Sequence, residues 1–179
     1  HVHSHYSFCR GANSIRDLCR HARSRGHGHL ALTDTNGLYG LGWFLQEARN
    51  CGLQPLIGSY LCDQRCAVVA LAKNVSGYER LCRLITQVHG VSGFDLTRTL
   101  LEDHQNLVLI SRNREFLKAI ISTADRADVY AELVPYLDRE AILRFARTFQ
   151  LPVVATQAAY FISPEDHSTH KLLRAIDLQ

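Results

Sequence analysis

The chain has 179 residues, 46% hydrophobic and 21% charged, which is enough apolar material for one substantial core and little for two. Its formal net charge is +3 with no run of five like charges, which excludes a basic nucleic-acid tail but not ordinary contact with phosphates. No stretch reaches the roughly 18 consecutive apolar residues of a membrane span, and no leader-like pattern opens the chain, so the expected compartment is the cytoplasm.

The opening HVHSHYSF reads as a strand that carries His1, His3 and His5 at every second position, on one face. That pattern begins a metal-dependent site or is the remains of one. Asn13 stands where a cap belongs, ahead of a helix over 13–26 with Ile15, Leu18, Cys19 and Ala22 on one face and Gly26 as its stop. LALTD (30–34) is a short apolar strand, and NGLYGLGWFLQEARNCG carries the next helix, ended by Gly52. QPLIGSYLC (54–62) and CAVVALA (66–72) are two strands facing each other across the DQR turn.

A helix in SGYERLCRLITQVHG follows, then a short helix in GVSGFDLTRTLLEDHQ, the strand NLVLIS and the helix REFLKAIISTA (114–124). DVYAEL is a strand, DREAILRFARTFQ a helix with Ile142, Phe145, Ala146 and Phe149 on one face, and PVVAT a strand. The last helix, in SPEDHSTHKLLRAI, has Ser163 as cap, Pro164 at its first position and Glu165 and Asp166 in its first turn.

Strands alternating with helices predict one α/β domain over residues 1–179, a distorted (β/α)7 barrel of TIM type. In such a barrel the functional face lies at the carboxyl ends of the strands. Six cysteines, Cys9, Cys19, Cys51, Cys62, Cys66 and Cys82, read mostly as buried free thiols of a reducing compartment. The Cys62–Cys66 pair is a weak zinc signal without a second pair nearby, and a turn between strands accounts for it as well.

HVHSHYSFCRGANS, ALTDTNGLYGLGWF, PLIGSYL, SGYERLCRLIT and LPVVATQAAYFISPEDHSTHKLLRAI follow in order. Over essentially the whole chain they resemble the polymerase-and-histidinol-phosphatase (PHP) domain that begins the alpha subunit of bacterial DNA polymerase III. SFCRGAN and TNGLYGLGWF are most similar to the error-prone paralogue. The resemblance implies the PHP type of barrel, as the N-terminal part of a longer C-family polymerase acting in DNA replication or translesion repair. It implies partners in the palm and thumb regions of that polymerase, with DNA reached through the parent protein, and polymerisation by the parent rather than by this segment.

Metal-competent members of the family hold two or three divalent ions with His, Asp and Glu at the strand ends, where the ions activate water against a phosphoester. By that pattern His1 and His3 match the opening H-x-H pair. Arg10 stands where an acidic ligand is often found, Thr35 replaces a ligand His after Asp34, and Tyr60 replaces a Glu. Asn113 replaces a Cys or His, and the closing D-x-H becomes Ala158 and Tyr160. Two imidazoles fall short of the three protein ligands of a catalytic centre, and a guanidinium at Arg10 would repel a cation.

The expectation is therefore a degenerate metal site with no catalytic residue and no cofactor, or zinc or manganese if there is one. His1 and His3 would then be hydrogen-bonded residues, and Tyr60 and Tyr160 would fill the former metal pocket. Arg10 would pair with Asp34 or Glu132, meet a phosphate, or lie at the surface, while Asp34 would accept from the Asn36–Gly37 turn. The alternative is an active metal-dependent phosphoesterase or 3'–5' proofreading exonuclease that recruits His89, Asp34 and Glu132. His5 should face solvent, His104 could join a site only through tertiary proximity, and His167 and His170 suit surface packing on one helix face. Arg10, Arg20, Arg23 and Arg25 form either a contact for template phosphate or a solvated helix face.

Overall fold

A computed structural model describes residues 1–123, 128–135 and 137–178; the end of the predicted helix 114–124, at Ala124, lies outside them. The chain forms two compact units, residues 1–59 with 158–179, and residues 60–157.

In the first unit the opening strand is reduced to one bridging residue. Val2 lies parallel to both Leu32 and Ala159, and the backbone bonds Thr33 N–H to Val2 O and His3 N–H to Ala159 O, each 2.9 Å, flank it. His5 has already left the extended run, because its N–H donates to Asn13 O. The helix α1 (Ile15–Ser24) is capped by Ser14, whose side chain accepts from Asp17 N–H, and not by Asn13. Asn13 instead accepts from Ile162 N–H and donates to the Asp166 carboxylate, so it ties the start of the chain to its end.

The strand β1 (His29–Leu32) pairs in parallel with the first part of β2 (Gln54–Cys62), and α2 (Leu41–Asn50) connects them. Ile15, Leu18, Cys19 and Ala22 of α1 pack with Leu32, Phe44, Ala48 and Leu53 as the core, with Ile162 against it. The predicted last helix is a 3-10 turn, Pro164–Asp166, closed by the Ser163–Asp166 capping box, and then α7 (His167–Asp177).

In the second unit β3 (Ala67–Ala72) runs antiparallel to β4 (Leu107–Ser111), and β5 (Val129–Leu133) and β6 (Val153–Ala155) add in parallel. The antiparallel step follows from the tight turn before β3, where Asp63 N–H donates to Cys66 O and reverses the chain. The helices α3 (Val75–Gly90), α4 (Leu96–Glu102), α5 (Arg114–Ile120) and α6 (Arg139–Phe149) supply the connections. Gly77 in α3 is required by space: a Cβ there would sit 2.1 Å from the Asn106 carbonyl oxygen. On α6 Ile142 and Ala146 are buried as the periodicity requires, and Phe145 and Phe149 pair at 4.6 Å between centroids.

Of the six cysteines only Cys19 and Cys66 are buried; the other four are half-buried, so the expectation of mostly buried thiols is corrected.

Candidate functional site

The site residues of the first unit come from three segments: the opening run, the loop after β1, and residues 158–160. Val2, with a neighbour on each side, aligns these segments at one edge. His3 is fully buried. Its Nδ1 lies 3.0 Å from Ser7 Oγ and 3.5 Å from Thr35 Oγ1. Its ring lies flat against Tyr160, with centroids 4.3 Å apart and planes at 12°, while His1 meets it edge-on at 5.2 Å. Burial first, then the positive chain amino group and Arg10, push the His3 imidazole from 6.5 down to about 3. The ring is therefore neutral at physiological pH.

Asp34 is also buried, and its carboxylate is a hub. Oδ1 accepts from Ser4 N–H and from Ser7 Oγ–H, each at 2.7 Å, and Oδ2 accepts from Ser4 Oγ–H at 2.8 Å. This corrects two expectations. The Asp34 side chain does not accept from its own Asn36–Gly37 turn; Gly37 N–H donates instead to Ser59 Oγ, which in turn donates to Asp34 O. Nor does Arg10 pair with Asp34, since the oxygens are taken by two serines held closer in the same loop. Neither serine stood out in the sequence. The signal was present in an acid at the end of an apolar strand, which must find donors when buried.

The loop between them leaves no room for side chains at Gly11, where a Cβ would lie 1.9 Å from Ser4 O. Ala158 has a left-handed backbone, φ 47°, and offers no donor atom. His170 is not a mere surface residue. Its Nδ1–H donates to Arg10 O at 2.7 Å and its ring stacks on Tyr160 at 5.4 Å, so α7 is pinned to the opening loop. His167 is exposed beside Phe161, and His5 is exposed beside Tyr6.

The second unit holds a cleft of about 780 Å3 lined by Tyr60, Asn113 and Glu132 together with Arg65, Arg112 and Arg114. Asn113 is the N-cap of α5, accepting from Glu115 and Phe116 N–H, and its amide donates to Arg65 O. Buried Glu132 accepts from Thr156 Oγ–H. Asp63 braces the turn by accepting from Arg65, Cys66 and Leu96 N–H. Burial works against its charge, yet those backbone donors and Arg65 together hold its carboxyl below the ordinary value. Burial pushes the Cys66 thiol up to about 11. His104 donates to Leu100 O, and His89 is exposed on α3.

Among the described residues no group of three or more His, Cys, Asp or Glu side chains is placed to hold a metal ion. No described helix is long and apolar enough to cross a membrane.

Residues 1–150 match the PHP domain family. The chain is 30% identical to DNA polymerase III subunit alpha of Vibrio cholerae across 98% of its own length and 18% of that protein's. It is 38% identical to an error-prone DNA polymerase of Pseudomonas syringae across 59% of its length and 10% of that protein's. It therefore spans less than a fifth of these relatives. Among solved structures, a two-domain protein of Bacteroides vulgatus containing a predicted PHP-like metal-dependent phosphoesterase superposes with a TM-score of 0.63 at 12% identity, over 96% of this chain and 54% of that one. The fold agrees with the α/β, distorted TIM-like barrel expected. With its ordered motifs, its strand-end cluster and this match over most of its length, the chain belongs to the PHP domain family.

Proposed function

We propose that the chain is the PHP module of a DNA polymerase III alpha-like DNA polymerase, that its metal centre is degenerate, and that its role is structural. The observation that carries this reading is the occupation of the opening cluster by its own hydrogen bonds and rings. Both Asp34 oxygens serve Ser4 and Ser7, and Tyr160 lies flat on His3 where the family pattern has a further ligand. A catalytic ion needs about three protein ligands and an open position. Here His1 and His3 are the only family ligands retained, and Thr35, Tyr60, Asn113, Ala158 and Tyr160 stand at the others, with Arg10 adding a positive charge. In this reading polymerisation belongs to the parent chain, whose palm and thumb regions are the partners of the module and bring it to DNA.

One observation favours the second reading, a metal-dependent phosphoesterase or proofreading exonuclease. His3 is neutral and lies 5.2 Å from the His1 ring, as a ligand pair for zinc or manganese would. Thermal unfolding with and without a chelator, beside hydrolysis of a phosphodiester substrate in added manganese or zinc, separates the two. The structural role requires unchanged melting and no hydrolysis above background. Chelator-sensitive melting with metal-dependent hydrolysis lost in His3→Ala overturns it.

A further inference from the structure

We propose that the α1–α2 face of the first unit binds a single DNA strand directly, stacking an unpaired base on Trp43 and holding phosphates with Arg16, Arg20 and Arg23. This goes beyond the structural role above and stands whether or not a metal is bound.

The first support is where the charge lies. Residues 14–29 carry Arg16, Arg20, Arg23 and Arg25 against Asp17 alone, so this segment holds an excess equal to the +3 of the whole chain. The buried face of α1 is Ile15, Leu18, Cys19 and Ala22. Arg16, Arg20 and Arg23 are exposed and share one side of the helix at i, i+4 and i+7, flanking the buried face as a basic stripe roughly 10 Å long. Arg16 is tethered to Glu47 of α2 at 3.4 Å with its side chain 60% exposed. Arg20, Arg23 and Arg25 make no side-chain ion pair among the described residues.

The second support is independent of charge. Trp43 is 59% exposed, and so are Phe8 at 68% and Tyr39 at 57%, which no core requires. Trp43 shares a shallow pocket of about 310 Å3 with His5, Tyr6, Arg16 and Glu47. The Tyr6 ring is seated against Gly40, where a Cβ would come within 2.7 Å of it, so the wall of the pocket is fixed in place. An exposed indole beside a guanidinium, at one end of an arginine stripe, offers a base a stacking surface and its flanking phosphates a cationic track. Phe8 and Tyr39, 5.8 Å apart, offer a second platform. A duplex keeps its bases stacked on each other, so the aromatic contacts select a single strand. An acidic protein surface would answer the arginines but leave the rings unused.

Trp43 is the sole tryptophan, so its fluorescence reports the contact. Titration of the full chain with an oligo-dT strand should quench it to saturation, and added salt should reverse the quenching. With labelled oligo-dT and anisotropy as the readout, Trp43→Ala should weaken binding about tenfold, the effect of one lost stack. The double variant Arg20→Ala/Arg23→Ala should weaken binding and lower the salt slope by about 2, one for each phosphate contact removed. Arg98→Ala/Arg144→Ala, on exposed helices of the other unit, should bind as the parent does. Circular dichroism checks that each variant is folded. Absence of quenching and anisotropy change overturns the proposal, as does equal affinity in the folded Trp43 and Arg20/Arg23 variants. So does equal or tighter binding of a blunt duplex or of an acidic polypeptide.

Discussion

Replacing Asp34 with alanine should unfold the opening loop of the first unit readily. The carboxylate is 2% exposed and takes three hydrogen bonds of 2.7–2.8 Å from Ser4 N–H, Ser4 Oγ–H and Ser7 Oγ–H, and both serines are fully buried. Hydrogen bonds to a charged group contribute about 1.5–3 kcal/mol each, but they are not additive, and the Ser7 hydroxyl can turn toward His3 Nδ1. Stranding the Ser4 N–H and hydroxyl, at about 1–3 kcal/mol for each buried donor left unsatisfied, therefore costs about 2–6 kcal/mol. For a chain of this size that lowers the melting temperature by on the order of 10 °C. Asp34→Asn keeps one acceptor oxygen and most of the shape, so its cost should be about 1–2 kcal/mol. Urea unfolding followed by far-ultraviolet circular dichroism measures both variants. A loss below about 1 kcal/mol for Asp34→Ala would refute the reasoning, because so small a value means the donors find water or other partners at no cost.

The other expectations concern the neighbouring residues. Asn113→Ala removes the cap of α5 and the bond to Arg65 O, and should cost about 1–2 kcal/mol in the same unfolding assay, while Asn113→Asp, which still caps, should cost less. Gly11→Ala must push a methyl group into Ser4 O and should destabilise by more than about 2 kcal/mol by thermal melting. For His3, the folded imidazole stays neutral down to about pH 3 while the unfolded one titrates near 6.5. Below 6.5 the unfolded chain binds a proton that the folded chain does not, so stability is full above that pH and falls as pH drops, by up to about 1.4 kcal/mol per pH unit. Urea midpoints across that range should show this slope in the parent and a shallower one in His3→Gln. Tyr160→Ala removes the stack on His3 and His170 and should cost about 1–3 kcal/mol by urea unfolding.

Most helices and strands were legible because apolar periodicity and local caps are short-range properties. The four buried residues of α1, its stop at Gly26, and the box of Ser163 with Asp166 follow from neighbours within a turn or two. Asn13 failed as a cap for the opposite reason. Asn and Ser stand side by side, both can cap, and Asn13 is claimed by Ile162 and Asp166 about 150 positions away. HVHSH looked like a full strand by alternation, but the bond from His5 N–H to Asn13 O bends it after His3. In the site, motif order brought His1, His3 and Tyr160 into one account, and the structure stacks His3 on Tyr160. Asp34 at the end of an apolar strand signals a need for buried donors, but not that Ser4 and Ser7 supply them, because they lie 30 and 27 residues away and serine carries no periodic signal. His170 was misjudged for a similar reason, as its acceptor is the backbone of Arg10 and has no side-chain signature. Asn113 could have been read locally, since an Asn directly before a helix with an acid in its first turn is a cap pattern.

The most direct measurement of the central claim is the metal content of the purified chain by mass spectrometry, after dialysis against buffer containing zinc and manganese. A degenerate centre predicts well below one ion per chain and no difference between the parent and His1→Ala/His3→Ala. One or more ions per chain, lost in that double variant, would contradict it.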